Sequence, residues 1–236
     1  MHQIKQNELL NEHLTRRHAE SEEQTYASAR SQFSGSDEDF LCLVKQYGDL
    51  APDKKGVFLK EHGISVQDSA LSLAVSPEMG EFLFNLTLSK RPKSILELGS
   101  SNGVSTLYFA EALRVGGGGQ IVATEMEAAK CEVLRNDVRA LGLADFVDVR
   151  EGDVFETAKN LGGSFDILFI DIWASYYLDI FKEVEHLLAP GAIVLADNMY
   201  TAFEEVQAFQ AYLTSKPNIS NTTLAFESGV EFGVVM

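Results

Sequence analysis

The chain is predicted to be an α/β protein built on a doubly wound parallel sheet. Three observations carry that expectation. From Ser94 onward, short apolar and β-branched runs alternate strictly with amphipathic helical segments, the pattern of repeated strand–helix–strand units. Two runs, ILFID ending at Asp171 and AIVLADN ending at Asn198, are apolar until their last residues, which carry acid or amide groups. A strand buried on both faces reads this way, and its polar carboxyl end opens on a crevice. Finally, the strand SILEL runs into the glycine-bearing turn GSSNGVST and then a helix, so backbone N–H groups are free to approach a ligand.

Strands are expected at Ser94–Leu98, Gln120–Glu125, Phe146–Glu151, Phe165–Asp171 and Ala192–Asp197. Helices fall between them, at about Val104–Arg114, Glu127–Leu141, Val154–Leu161, Tyr176–Leu188 and Phe203–Ser215. The tail differs: Ser220–Phe226, a Glu-Ser-Gly turn and Val230–Met236 read as an antiparallel hairpin at the sheet edge. No repeat or low-complexity linker interrupts the alternation, so residues 75–236 are taken as one domain.

Residues 1–74 are taken as an N-terminal helical extension or arm that covers substrate or serves dimerisation. Residues 1 to about 35 are polar with a thin apolar series, Ile4, Leu9, Leu10 and Leu14, which fits a weak amphipathic helix or a mobile arm; an arm that orders only on dimerisation or substrate binding is the favoured expectation. Ser36 before Asp-Glu-Asp is a helix N-cap with acids in the first turn, opening a helix to about Tyr47. Gly48, Pro52 and Gly56 punctuate the stretch after it, and Pro77 opens a further helix to about Ser89.

With 45% hydrophobic and 23% charged residues over 236 positions, the composition fits an ordinary soluble domain with an appendage. Cys42 and Cys131 lie in amphipathic patterns and are expected to be buried, reduced thiols, which fits a reducing compartment. No signal-peptide core or membrane-spanning run is visible, so cytoplasmic residence without a membrane partner is expected. A net charge of −16 repels phosphate backbones and argues against DNA or RNA partners. His2, His13, His18, His62 and His186 show no ligand spacing and read as surface or structural residues.

The two polar strand ends bring Asp171, Asp197 and Asn198 together. Three oxygen donors without His or Cys suit a hard divalent cation such as Mg²⁺. Glu125, closing the second strand, sits where a carboxylate accepts the ribose hydroxyls of an adenosine. Asp153 is placed for an adenine amino group, and Trp173, the one tryptophan, for stacking on the adenine face. Each also has a purely structural explanation, as surface acid, helix cap or core aromatic; their succession at consecutive strand ends favours the ligand. The turn does not match G-x-G-x-x-G, which argues against a nicotinamide dehydrogenase on a similar sheet.

Together ILELGSSNGVST, IVATEME, VREGDVFET, LFIDIWASYY and LLAPGAIVLADNM resemble the class I S-adenosylmethionine-dependent O-methyltransferases, in particular the metal-dependent, catechol O-methyltransferase-like group. The resemblance spans roughly Val75 to the C-terminus and includes the closing SGVEFGVVM. It implies a Rossmann-like, seven-stranded sheet, mostly parallel, whose C-terminal strand is antiparallel. It further implies S-adenosylmethionine contacts at Val75, Glu97, Gly99, Ser101, Ser105, Glu125, Met126, Asp153, Val154, Asp171 and Trp173. The metal ligands implied are Asp171, Asp197 and Asn198, and the expected acceptor is a small hydroxylated molecule such as a catechol or vicinal diol.

One position departs from the family. A lysine that acts as general base there is replaced by Ala174, three residues after Asp171. A divalent cation bound to a hydroxyl lowers its pKa without such a lysine. Tyr176, Tyr177 or the arm are alternative bases, and a catalytically weakened S-adenosylmethionine-binding protein is a further reading. A tRNA hydroxyuridine O-methyltransferase is another reading, disfavoured by the charge and the scarcity of basic clusters. A homodimer through the arm stays open.

Overall fold

Alternate residues along each inner strand go to opposite faces, and helices cover both. The computed structural model describes residues 7–65, 71, 73–226 and 228–236. Seven strands, β1 (Ser94–Leu98), β2 (Gln120–Glu125), β3 (Val147–Glu151), β4 (Phe165–Ile170), β5 (Leu188–Ala196), β6 (Ile219–Leu224) and β7 (Val230–Val235), form one sheet in the order β3-β2-β1-β4-β5-β7-β6. All neighbours from β3 to β5 pair in parallel, and β7 pairs antiparallel with both β5 and β6. The expected seven-stranded, mostly parallel Rossmann-like sheet with an antiparallel C-terminal strand is therefore present. β1 has β2 on one side and β4 on the other, so the chain reverses direction of winding there and opens a crevice above the carboxyl ends.

One face is covered by helices α4 (Pro77–Lys90), α5 (Val104–Gly116) and α6 (Ala128–Ala140). Ile95, Ile121, Ala123, Ile167, Phe169 and Leu195 point into that layer and meet Leu83, Phe109 and Leu134. The intervening residues Leu96, Leu98, Leu168, Ile170, Val194 and Ala196 point the other way. They pack under helices α7 (Val154–Lys159), α8 (Tyr177–Val184) and α9 (Phe203–Ser215).

The N-terminal segment departs most from expectation. Residues 8–32 form a 25-residue helix, α1 (Glu8–Gln32), in place of the expected arm. Its apolar stripe is thin: Leu10 and Leu14, one turn apart, are buried in the α4–α5 core, whereas Leu9 is exposed and Ile4 lies outside the described residues. Polar contacts supply the rest. Arg17 grips Asp137 of α6 through Nε at 2.9 Å and Nη2 at 2.6 Å, His13 Nε2 lies 2.9 Å from the same carboxylate, and Asn7 donates to Glu111 at 3.2 Å. A planar guanidinium held by one buried carboxylate fixes helix orientation as well as position.

Helix α2 (Asp37–Gly48) starts at Ser36 as expected, with a full capping box: Ser36 Oγ accepts from Asp39 N–H, and Asp39 accepts from Ser36 N–H. Residues 52–61 form a helix, α3 (Pro52–Glu61), through a stretch that reads in the sequence as rich in breakers. Phe40, Leu43 and Ile64 bury a small satellite core there, with Phe33, Phe58 and Leu59 packed on it. Cys42 is exposed, contrary to expectation, because it lies off the Phe40–Leu43 face of α2; Cys131 is buried as expected. His2 lies outside the described residues.

Among the remaining boundaries, β5 and the helix after β4 differ most. β5 begins at Leu188 rather than Ala192, because an irregularity in the β4 pairing lets Leu188 pair with Phe165 and Ile193 with Ile167. The helix expected from Tyr176 to Leu188 is shorter, flanked by 3₁₀ turns at Ala174–Tyr176 and Glu185–Leu187.

Leu14→Ala should lower the unfolding free energy by about 2–5 kcal/mol, as for a buried core leucine. Urea denaturation checks it, and an unchanged midpoint would return residues 8–32 to a loosely attached arm.

Candidate active site

Strand register brings the polar groups together. Leu98 of β1 pairs with both Thr124 of β2 and Ile170 of β4, and Ile170 pairs with Ala196 of β5. The next residue of each strand therefore emerges at one level: Gly99, Glu125, Asp171 and Asp197. Backbone bonds knit these ends, with Gly99 and Ser100 N–H donating to Thr124 O, Asp171 N–H to Leu98 O and Asp197 N–H to Ile170 O.

Gly99 has a φ of +90°, and a Cβ there would lie 2.2 Å from the Asp171 carbonyl oxygen. No other residue fits, so the β1–α5 turn and the β4–α8 turn touch through this glycine. Ser101, at φ +48°, donates its N–H to Glu125 Oε2 at 2.9 Å, and Glu127 N–H donates to Glu125 Oε1 at 2.9 Å. Glu125 is thus held half-buried on the crevice wall, beside Met126, which is 59% exposed. Asp153 caps α7, with Oδ1 accepting from Phe155 and Glu156 N–H, and Val154 comes next, half-buried.

Glu97 is fully buried beneath the turn. Ser105 Oγ and Thr106 Oγ1 each donate to one of its oxygens at 2.5 Å. Burial pushes its carboxyl up to about 7, against the opposing effect of those hydroxyls and with help from the charge of Glu125. Of the residues expected around the donor, Glu97 and Ser105 therefore bind each other, whereas Gly99, Ser101, Glu125, Met126 and Asp171 gather at the β1, β2 and β4 ends. Val75 is buried just before α4, and Trp173 sits half-buried at the start of the 3₁₀ turn. Ser100 Oγ is buried and makes no hydrogen bond among the described residues, an orphaned hydroxyl of the kind a bound ligand satisfies.

Asp171, Asp197 and Asn198 are neighbours, as the register requires. Asn198 Nδ2 donates to Asp171 Oδ1 at 3.3 Å, and Asp197 Oδ1 accepts from Asn198 N–H at 2.7 Å and from Ser228 Oγ. Asn198 holds a left-handed backbone, φ +64°, a strained conformation typical of functional sites. Burial, then the adjacent charges of Asp197 and Glu97, push the Asp171 carboxyl well above the usual range. Among the described residues no cluster of three or more His, Cys, Asp or Glu side chains is disposed to hold a metal. This trio offers two carboxylates and a carboxamide, and that hard-oxygen donor set fits Mg²⁺.

The general-base question narrows. Ala174 is buried at the position where the resembled family carries a lysine, and Tyr177, fully buried, donates its hydroxyl to Asp197 O at 3.1 Å. Burial, then the charges of Asp171 and Asp197, push the Tyr177 hydroxyl well above its ordinary value, which argues against it as a base. Tyr176 is exposed and packs edge-on against Phe155, with ring centroids 5.9 Å apart.

Sequence reasoning missed three residues here. Ser228 holds Asp197; Thr201 donates to Asn198 Oδ1 at 3.0 Å; Lys130 Nζ reaches Leu71 O at 2.7 Å and Ser101 Oγ at 3.3 Å. Only Lys130 leaves a trace in the sequence, as a cation in the first turn of α6, where the helix dipole disfavours it.

Because the fold favours protonated Glu97, the stability it contributes is fully present below its ordinary value of 4.5 and is lost as pH rises through about 7. Asp171 adds a slope of the same sign. Glu97→Gln should flatten the pH dependence of urea midpoints between about pH 4.5 and 8, by up to ~3 kcal/mol; an unchanged slope would show that Glu97 ionises normally. Gly99→Ala should destabilise by more than about 1 kcal/mol in the same assay.

Residues 96–199 match the family described as a methyltransferase domain. A catechol O-methyltransferase of Niastella koreensis is 32% identical over 132 residues, covering 54% of this chain and 59% of that protein. One from Mycobacterium tuberculosis is 32% identical over 128 residues, covering 54% and 57%. The matches thus span less than two thirds of those relatives. An O-methyltransferase from Bacillus cereus, solved with SAH, superposes with a TM-score of 0.64 at 21% identity, over 93% of this chain and all of that one. TomG from Streptomyces achromogenes, solved with SAM, gives 0.65 at 21% identity over 88% and 98%. In fold and in the motifs along its sheet, the chain is similar to the class I S-adenosylmethionine-dependent O-methyltransferases.

Proposed function

We propose that the chain is an S-adenosylmethionine-dependent O-methyltransferase that methylates a hydroxyl of a small molecule with two adjacent oxygens, such as a catechol or vicinal diol. The observation that carries this reading is the meeting of Asp171, Asp197 and Asn198 just past the β4–β5 pairing, against the Gly99–Ser101 turn. The catechol O-methyltransferases among its relatives support the acceptor class.

The sulfonium donor supplies an electrophilic methyl group, and a divalent cation, most simply Mg²⁺, supplies charge that makes a hydroxyl acidic at neutral pH. Asp171, Asp197 and Asn198 would hold the cation. Glu125, fixed by Ser101 and Glu127 N–H, keeps lone pairs for ribose hydroxyls, and Asp153 Oδ2 is left for the adenine amino group. Val75, Gly99, Ser101, Met126, Val154 and Trp173 line the rest of the donor's berth, and Glu97 with Ser105 braces the turn from below.

When bound, the donor would supply its methyl to an acceptor oxygen, with the S–CH₃ bonding pair remaining on sulfur as the O–CH₃ bond forms. The acceptor's hydroxyl proton would leave to solvent before the site closes around donor and acceptor, since no base is assigned to Ala174 or Tyr177. The chain's own contribution is alignment of the reacting atoms and exclusion of water from a reaction that neutralises charge.

The burial of Ala174 favours a second reading, a binding protein that keeps the donor pocket without turnover. The −16 charge continues to disfavour a tRNA substrate. Among the described residues no helix is long and apolar enough to cross a membrane, and a cytoplasmic enzyme is the reading adopted. Residues 1–74 are taken as an extension docked on a 75–236 domain, with a homodimer as its second role.

Methyl transfer to a catechol panel should be abolished by exhaustive chelation and restored by Mg²⁺. Asp171→Asn should reduce turnover at least about 10-fold, the low end for a lost metal-site residue, and Ala174→Lys should shift the pH profile of kcat. Turnover that survives chelation would remove the metal from the reading; donor binding without transfer to any catechol would favour the binding protein.

A further inference from the structure

The carboxamide of Asn198 carries its own positioning device. Asn198 directs Nδ2 at Asp171 Oδ1, 3.3 Å away, and Oδ1 at Thr201, whose Oγ1 donates to it at 3.0 Å. A cation between the aspartates requires the other orientation, with Oδ1 inward and Nδ2 outward, because the N–H edge of a carboxamide has no lone pair to ligate a cation. Thr201 serves both orientations. Its hydroxyl has one proton and two lone pairs, and its oxygen also lies 3.4 Å from the Asn198 main-chain oxygen. When the carboxamide turns, the hydroxyl proton swings to that main-chain oxygen and a lone pair accepts the outward N–H.

Helix α3 holds Thr201 in place. A Cβ at Gly56 would come within 2.5 Å of Thr201 O and 2.8 Å of Thr201 Cα, so the α3 backbone lies directly against this turn. Lys60 of α3 adds an ion pair to Glu204 at 3.0 Å, exposed on both sides and therefore weak. Gly56 is otherwise unfavourable in a helix interior, where alanine is preferred; contact with Thr201 accounts for it.

We propose that Thr201, backed by Gly56, is a positioning residue that keeps the outer edge of the Asn198 carboxamide hydrogen-bonded when Oδ1 faces the cation, and thereby supports the divalent-cation affinity of the site. The inference rests on the metal reading above, and it gives the N-terminal extension a part in the chemistry.

The test is Mn²⁺ binding to the full chain, measured by calorimetry and by the electron paramagnetic resonance of free Mn²⁺. Residues that orient a metal ligand are worth about 10- to 100-fold in affinity. Thr201→Val, which keeps shape and removes the hydroxyl, should weaken Mn²⁺ binding by at least about 10-fold. Thr201→Ser should restore it to near the wild-type value, a rescue that a purely packing role would not produce. Gly56→Ala should weaken binding in the same direction. Separately, Mg²⁺ should shift the side-chain amide resonances of Asn198 in the wild-type protein. Wild-type affinity in Thr201→Val, or loss in Thr201→Val that serine fails to rescue, would overturn the proposal while leaving the metal reading intact. A wild-type protein that takes up no Mn²⁺ would overturn both.

Discussion

Two carboxylates that leave adjacent parallel strands at the same level govern this structure. Ile170 and Ala196 are paired across β4 and β5, so Asp171 and Asp197 have no freedom to separate. Coulomb repulsion between them is offset on one side by donors: Asp197 takes the Asn198 N–H and the Ser228 hydroxyl. Asp171 has the longer contact to the Asn198 carboxamide, and it is the one whose carboxyl is pushed up. The pair is therefore asymmetric in its hydrogen bonding: Asp197 accepts from a backbone N–H and a hydroxyl, and Asp171 has only the longer carboxamide contact. Glu97 extends the same logic below the turn, its carboxyl pushed up to about 7 by burial although two hydroxyls donate to it.

Much of the parallel region is legible because one physical signal dominates it. A strand buried on both faces has to be apolar throughout, and SILEL, FDILFI and AIVLA are largely so. β1, β2 and α9 have the expected bounds, and β3 and β4 are off by one residue at one end. The polar strand ends are equally legible, since a buried run that stops in Asp or Asn marks the crevice. Boundaries are lost where pairing rather than local preference decides, as at β5, whose first residues are drawn into the sheet by the irregular Phe165–Leu188 pairing.

The N-terminal half is poorly legible for a different reason. α1 is held by Leu10 and Leu14 together with Arg17 and His13 on Asp137, and the partners are remote in sequence. Periodicity registers only the two leucines. α3 likewise contains a glycine that looks like a breaker until the Thr201 backbone is seen against it. In the site, Ser228, Thr201 and Lys130 carry no strong pattern of their own; each acts on another residue that does. The polar residues that gather at the crevice are thus readable from strand ends, whereas the groups that hydrogen-bond to them are visible only in three dimensions.

The sheet order has a consequence for biosynthesis. β7 lies between β5 and β6 although it comes after both in the chain. When β6 leaves the ribosome it has no neighbour to pair with, and β5 presents a bare hydrogen-bonding edge. Only a completed β6–β7 ribbon can dock, and with it come Ser228 Oγ on Asp197 and the carbonyls of Ser228 and Gly229, which accept from Tyr200 and Met199 N–H. A nascent chain therefore carries an unprotected, aggregation-prone strand until β7 has emerged, and Asp197 lacks its Ser228 partner until then.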